Sequence, residues 1–99
     1  MMPAGEISID EGHPSLPGHF PGHPIVPGVL LLAEIFAQLT KVHPGFGVAA
    51  LEQAKFLRPV RPSEVVALAS RMGEGGRVHF TGMIGDEAAF HGVARMQPA

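Results

Sequence analysis

The spacing of apolar residues along the chain changes period several times, and each change predicts an element. Gly5 to Asp10 (GEISID) sets Ile7 and Ile9 between polar neighbours, the period of two that predicts a short strand. From Val29 to Val42 the apolar residues crowd together as Val29, Leu30, Leu31, Leu32, Ala33, Ile35, Phe36, Ala37 and Leu39. Pro27-Gly28 opens this run and His43-Pro44-Gly45 ends it, which predicts a helix. Because its apolar residues lie on every side, the expectation is a central helix buried all round. Four strand-like stretches follow, about Val48–Leu57, Glu64–Met72, Arg77–Ile84 and Ala88–Met96. The breaks Glu74-Gly75-Gly76-Arg77 and Gly85-Asp86-Glu87 carry hairpin chemistry. One helix and an antiparallel meander predict an α+β domain in which a sheet wraps the helix.

Composition narrows the picture. Ninety-nine residues support one domain, with no linker or internal repeat inside it. Seven Lys and Arg against nine Asp and Glu leave no basic excess, so nucleic-acid binding is not expected. The absence of cysteine excludes a disulfide scaffold, a thiolate nucleophile and a cysteine zinc cluster. The N-terminus lacks the basic flank and apolar run of a secretory signal. Val29–Leu39, the longest apolar stretch, is too short for a bilayer and is interrupted by Glu34 and Gln38. A cytoplasmic, membrane-free domain is therefore expected.

Candidate chemistry gathers around the start of the helix. Five of the ten prolines lie between His13 and Pro27, in a stretch that cannot be a regular helix or strand. Leu16, Phe20, Ile25 and Val26 are interleaved as apolar anchors, so the segment reads as an ordered functional loop. It carries His13, His19 and His23; a histidine aimed into a cavity is a general-base candidate, whereas His13 reads as solvated or packed. Pro21 and Gly22 break the helical spacing between His19 and His23, and no further ligand cluster exists, so no metal is expected. Gly28 stands at the helix N-terminus, where unpaired amides stabilise developing oxyanions. Glu34 and Gln38 share one helical face, extended by Lys41. Glu34 is either a catalytic acid in a cavity or the exposed edge of the helix.

The run His19-Phe20-Pro21-Gly22-His23-Pro24-Ile25-Val26-Pro27-Gly28-Val29-Leu30, followed by Glu34 and Ala37-Gln38, resembles the active-site segment of bacterial 3-hydroxyacyl-acyl carrier protein dehydratases. These are hotdog-fold enzymes of fatty acid and related polyketide-like synthesis. The likeness continues through Gln53-Ala54-Lys55-Phe56-Leu57-Arg58-Pro59-Val60-Arg61-Pro62 and the closing strands, so it covers most of the chain in a compact form. It implies a long central helix wrapped by an antiparallel sheet, with two subunits joining sheets to form active sites at a dimer interface.

The implied reaction is loss of water from a (3R)-3-hydroxyacyl thioester to give the trans-2-enoyl thioester, with no cofactor. By resemblance, His19 is the base that removes the C2 proton and the Gly28 amide binds the thioester carbonyl. Val29, Phe20 and Gln38 complete the substrate site, and Leu30, Phe36 and Phe56 join Phe20 along an acyl tunnel. Lys55, Arg58 and Arg61 form a basic run suited to docking an acidic acyl carrier protein.

The family's acid stands fourteen positions after the histidine, where this chain has Ala33. Glu34 follows one position later and keeps the family's interval to the glutamine at Gln38. Glu34 is therefore assigned as the acid, with a one-residue bulge in the first helical turn restoring its register. The alternative is a weak or inactive subunit that binds the carrier or pairs with an active homologue, so a homodimer and a heterodimer both stay open. A hotdog thioesterase shares the fold but fits the segment from His19 to Gly28 less well.

Overall fold

The structure, a computed structural model, describes residues 1–10, 12 and 25–99. Strand β1 (Met2–Ile7) is followed by helix α1 (Gly28–Val42) and strands β2 (Phe46–Phe56), β3 (Val66–Met72), β4 (Arg77–Ile84) and β5 (Glu87–Pro98). The strands form one antiparallel sheet in the order β1-β3-β4-β5-β2. Only β3, β4 and β5 form the expected meander. β2 crosses over to pair with β5, and β1 closes the opposite edge on β3. This is the hotdog arrangement.

The predicted segments become strands because their alternation survives into burial. Along β3, Val66, Leu68 and Ser70 point inward, and on β4 Val78, Phe80 and Gly82 do the same. The Phe80 and Phe90 rings meet with centroids 6.2 Å apart in the buried core. Gly82 makes room for this pair, since a Cβ there would overlap the Phe90 ring. The β3–β4 connection is a single 3-10 turn over Glu74–Gly76, as its glycines predict.

β1 departs from expectation, running Met2–Ile7 rather than over Gly5–Asp10. Its register on β3 slips between Pro3 and Glu6, where Gly5 adopts φ +90° and admits the amide of Gln38. Ile9 is still buried beyond the strand's end, so apolar spacing continued after the ladder stopped.

The helix also corrects its expectation. Leu31, Ile35 and Leu39 are its buried residues, one stripe at four-residue spacing against the sheet. Each fully buried side chain of this kind contributes roughly 1.5–3 kcal/mol. Val29 is 79% exposed, and Ala33 and Ala37 lie on the same open side. A single five-stranded sheet covers only one side of a helix, so apolar residues all round did not produce burial all round. Among the described residues, no helix is long and apolar enough to cross a membrane.

Candidate active site

Pro27 is the N-cap of α1 and offers no capping side chain, and the first turn carries no acidic residue. The Pro27 carbonyl accepts from the Leu30 and Leu31 amides, at 3.0 and 3.1 Å. The Gly28 amide has no hydrogen-bond partner among the described residues. An open helix N-terminus leaves orphan N–H donors and a partial positive charge. Gly28 lines a cavity of about 370 Å³ together with Ile25, Val26, Leu31 and the segment from Phe56 to Val60. The Phe56 ring lies about 3.5 Å from where a Gly28 Cβ would stand and packs edge-on to Phe90, with centroids 6.2 Å apart. The site thus pairs an apolar wall with a backbone donor, the equipment needed to hold a carbonyl whose oxygen gains charge.

The segment after β2 supplies the other wall. Leu57 and Arg58 amides donate to Ala89 O at 2.8 and 3.4 Å, and Val26 N donates to Val60 O at 2.8 Å. Arg58 Nη2 donates to both oxygens of Glu64 at 2.8 Å, Nη1 reaches Glu87 Oε1 at 3.4 Å, and Nε donates to Pro59 O at 3.0 Å. The Arg61 backbone N–H donates to Glu64 Oε1 at 2.7 Å. That bond, followed by the Arg58 guanidinium, holds the Glu64 carboxyl below the usual carboxylate range. The Glu64 hydrogen bond is the main cause that raises the affinity of Arg58 for its own proton.

The remaining sequence candidates distribute unevenly. Gly28 and Phe56 share the cavity, with Leu30 and Phe36 partly buried against the core rather than lining it. Val29 points to solvent. Gln38 Nε2 donates to Ala4 O at 3.1 Å, so that amide ties α1 to β1 and is turned away from the cavity. Glu34 is half-buried on the flank it shares with Gln38, and does not line the cavity. The helix is α-helical at every position from Gly28 to Val42, so the bulge expected to restore Glu34's register is not present. One residue therefore keeps its full rotation of about 100° between Ala33, which faces outward, and Glu34.

In the basic run, Lys55 is exposed on β2 opposite His91, and Arg61 is exposed. Arg58 is occupied by carboxylates, with a side chain only 16% exposed. His19 and Phe20, like His13 and His23, lie outside the described residues. No cluster of metal-ligating side chains occurs among the described residues. Sequence reading missed Glu64 and the Val26–Val60 bond. The signal available was an arginine and a glutamate six residues apart around two prolines, which allows the chain to arch back on itself.

A one-helix hotdog sheet with an open helix N-terminus at an apolar cavity defines the fold class, which by itself does not fix the chemistry. The comparisons then give the family. The model of ApeI-like proteins, described as ApeI dehydratase, matches residues 3–93, and the chain belongs to that family. A 3-hydroxyacyl-[acyl-carrier-protein] dehydratase FabZ from Pectobacterium atrosepticum is 38% identical over 101 residues, covering 91% of this chain and 60% of the relative. The same-named protein of Blochmanniella floridana is 42% identical over 73 residues, covering 63% of this chain and 46% of the relative. The chain thus spans 60% or less of the length of these relatives.

Among solved structures, the dehydratase heterocomplex ApeI:P from Xenorhabdus doucetiae superposes with TM-score 0.78 at 24% identity, covering 92% of this chain and 82% of that one. An uncharacterized protein from Erwinia carotovora subsp. atroseptica superposes with TM-score 0.71 at 21% identity, covering 99% and 98%. Both support the fold.

Proposed function

We propose that this chain is a hotdog dehydratase subunit that removes water from (3R)-3-hydroxyacyl thioesters carried by acyl carrier protein, in the cytoplasm and in fatty acid or related biosynthesis. The observation that carries this reading is the Gly28 amide, without a partner among the described residues, at the edge of an apolar cavity and nine residues after His19. The thioester carbonyl binds at the Gly28 N–H. His19 removes the C2 proton as charge develops on that oxygen, and a carboxylic acid protonates the C3 hydroxyl as it leaves. Phe56 and Leu57 line the acyl path, while Lys55 and Arg61 are the exposed cations available to an acidic carrier.

Glu34 does not line the cavity of its own chain, so its acid role belongs to a dimer in which it reaches the other subunit's site. The exposed Leu51, Phe56 and Leu57 along and just beyond β2, and the open side of α1 with Val29, Ala33 and Ala37, are the apolar surfaces such a dimer would bury. The test is mass-spectrometric detection of water loss from 3-hydroxyacyl carrier protein. His19→Ala and Glu34→Ala are each expected to lower turnover roughly 10²–10⁴-fold. Wild-type turnover that survives His19→Ala overturns the assignment, and release of free acid favours a thioesterase.

The regular helix and outward Ala33 favour one second reading, a subunit that lacks its own acid and pairs with a homologue that supplies it. This predicts no turnover for the chain alone and recovery on mixing with that homologue. Ala33→Glu would then confer activity that Glu34→Ala does not remove.

A further inference from the structure

Arg58 is not available as a docking cation, and the geometry points to it as a positioning residue that sets the approach to the Gly28 amide. Its guanidinium reaches three targets at once: the Glu64 carboxylate through Nη2, Glu87 through Nη1, and the Pro59 carbonyl through Nε. These bonds fold residues 58–64 into an arch. The Glu64 end is fixed again by Arg61 N to Glu64 Oε1, by Glu64 N to Arg61 O at 3.2 Å, and by Ser63 N to Ile9 O at 2.7 Å. Ser63 holds φ +70°, a conformation that a non-glycine residue keeps only where its surroundings impose it.

The arch matters because of what hangs on it. Val60 lies within it, is buried, and accepts the Val26 amide at 2.8 Å. Val26 is also buried and stands two residues before Gly28. The chain therefore enters the helix, two residues after Val26, along the arch that Arg58 braces. Arg58, Pro59 and Val60 are at the same time a wall of the Gly28 cavity. A lysine has one compact cationic head and replaces at most one of the three directions that a planar guanidinium serves. Loss of the brace shifts Val26 and with it the donor at Gly28, and small misplacements of reacting groups carry large rate costs.

The turnover arm of the test rests on the dehydratase reading, and a binding-free arm does not. The full chain and its Arg58→Lys and Glu64→Gln variants are assayed on the same 3-hydroxyacyl group borne by carrier protein and by pantetheine. Positioning predicts that each variant lowers kcat roughly tenfold on both thioesters, with KM moving equally for the two. In parallel, hydrogen exchange reads the Val26 amide, whose protection falls in both variants while Phe80 and Phe90 amides of the central strands hold theirs.

A defect confined to KM for the carrier-borne thioester assigns Arg58 to docking and overturns the inference. Unchanged Val26 protection also overturns it. If the wild type turns over neither thioester, the dehydratase reading fails and the exchange result alone decides the brace. Glu64→Gln keeps side-chain size and decides the question if Arg58→Lys fails to fold.

Discussion

Among the described residues, the backbone at the Gly28 end of α1 is left open, whereas at the Val42 end it is closed. The closed end has Lys41 in the last turn, where a cation complements the helix dipole. His43 N donates to Leu39 O at 3.0 Å, and the His43 ring Nε2 lies 3.2 Å from Ser70 Oγ. Ser70 is the buried polar residue among the described core, at 4% exposure, and this bond satisfies it. The open end has a proline cap, no acid in its first turn and an amide without a partner among the described residues. A capping side chain there would contribute roughly 0.5–2 kcal/mol. Stability is given up at the end where the cavity carries the motif and kept at the other. Cavity size does not mark the difference, because the His43 end holds the larger space, about 490 Å³ against about 370 Å³.

The sharpest way to break this comparison is Gly28→Pro set against Gly28→Ala. Proline is favoured at the first helical position and lacks only the N–H, so Gly28→Pro deletes the donor while the helix stays. Its rate is expected to fall roughly 10²–10³-fold, the loss typical of one oxyanion donor. An alanine Cβ meets Phe56 only at ordinary contact, about 3.5 Å, and keeps the N–H, so Gly28→Ala retains most activity. Equal loss in both variants would remove the amide from the mechanism.

Between the two ends, Ile35 is fully buried, and Ile35→Ala is expected to cost about 2–5 kcal/mol in denaturant unfolding. At the closed end, Ser70→Ala removes a structural bond worth about 1 kcal/mol. A drop of about 4–8 °C in Tm with turnover unchanged is the expected pattern. A loss of turnover would mean that the two ends are not separate in function.

The smallest effect concerns acid. The Glu64 carboxyl titrates below its unfolded value, so its contribution is present above the ordinary glutamate range and is lost as pH falls through the lowered folded value. Glu64→Gln should therefore flatten the acid limb of a stability-against-pH curve and leave the neutral-to-basic limb unchanged in shape. A steeper acid limb in the variant would reverse the sign assigned to this group.

The secondary structure was legible along the chain because its elements obey local rules. Arg77–Ile84 was read with its observed bounds, and the other three long strands and the helix within two residues at each end. Alternation shows which residues pair inward, and the glycine-rich breaks show where strands stop. The run from His19 to Gly28 was read for a different reason, since a specific motif carried it, and of that run only residues 25–28 are among those the structure describes. Glu34 and Arg58 show where such reading ends. A helix pattern records which residues are apolar but not which neighbours arrive, so the stripe of Leu31, Ile35 and Leu39 emerged only when a single sheet packed against it. Gln38, which the motif pointed at substrate, is held by Ala4 of a strand 34 positions earlier.

By itself, then, the sequence determined the order and type of the elements and the position of Gly28 at the start of the helix. Those depend on short-range periodicity, proline, glycine and helix polarity. Tertiary structure alone decided the placement of β2 beyond β5, the outward face at Ala33, and the use of Arg58 as a brace rather than a free cation. Each of these depends on residues distant in the chain arriving within hydrogen-bond or van der Waals reach, a long-range condition that no local pattern encodes.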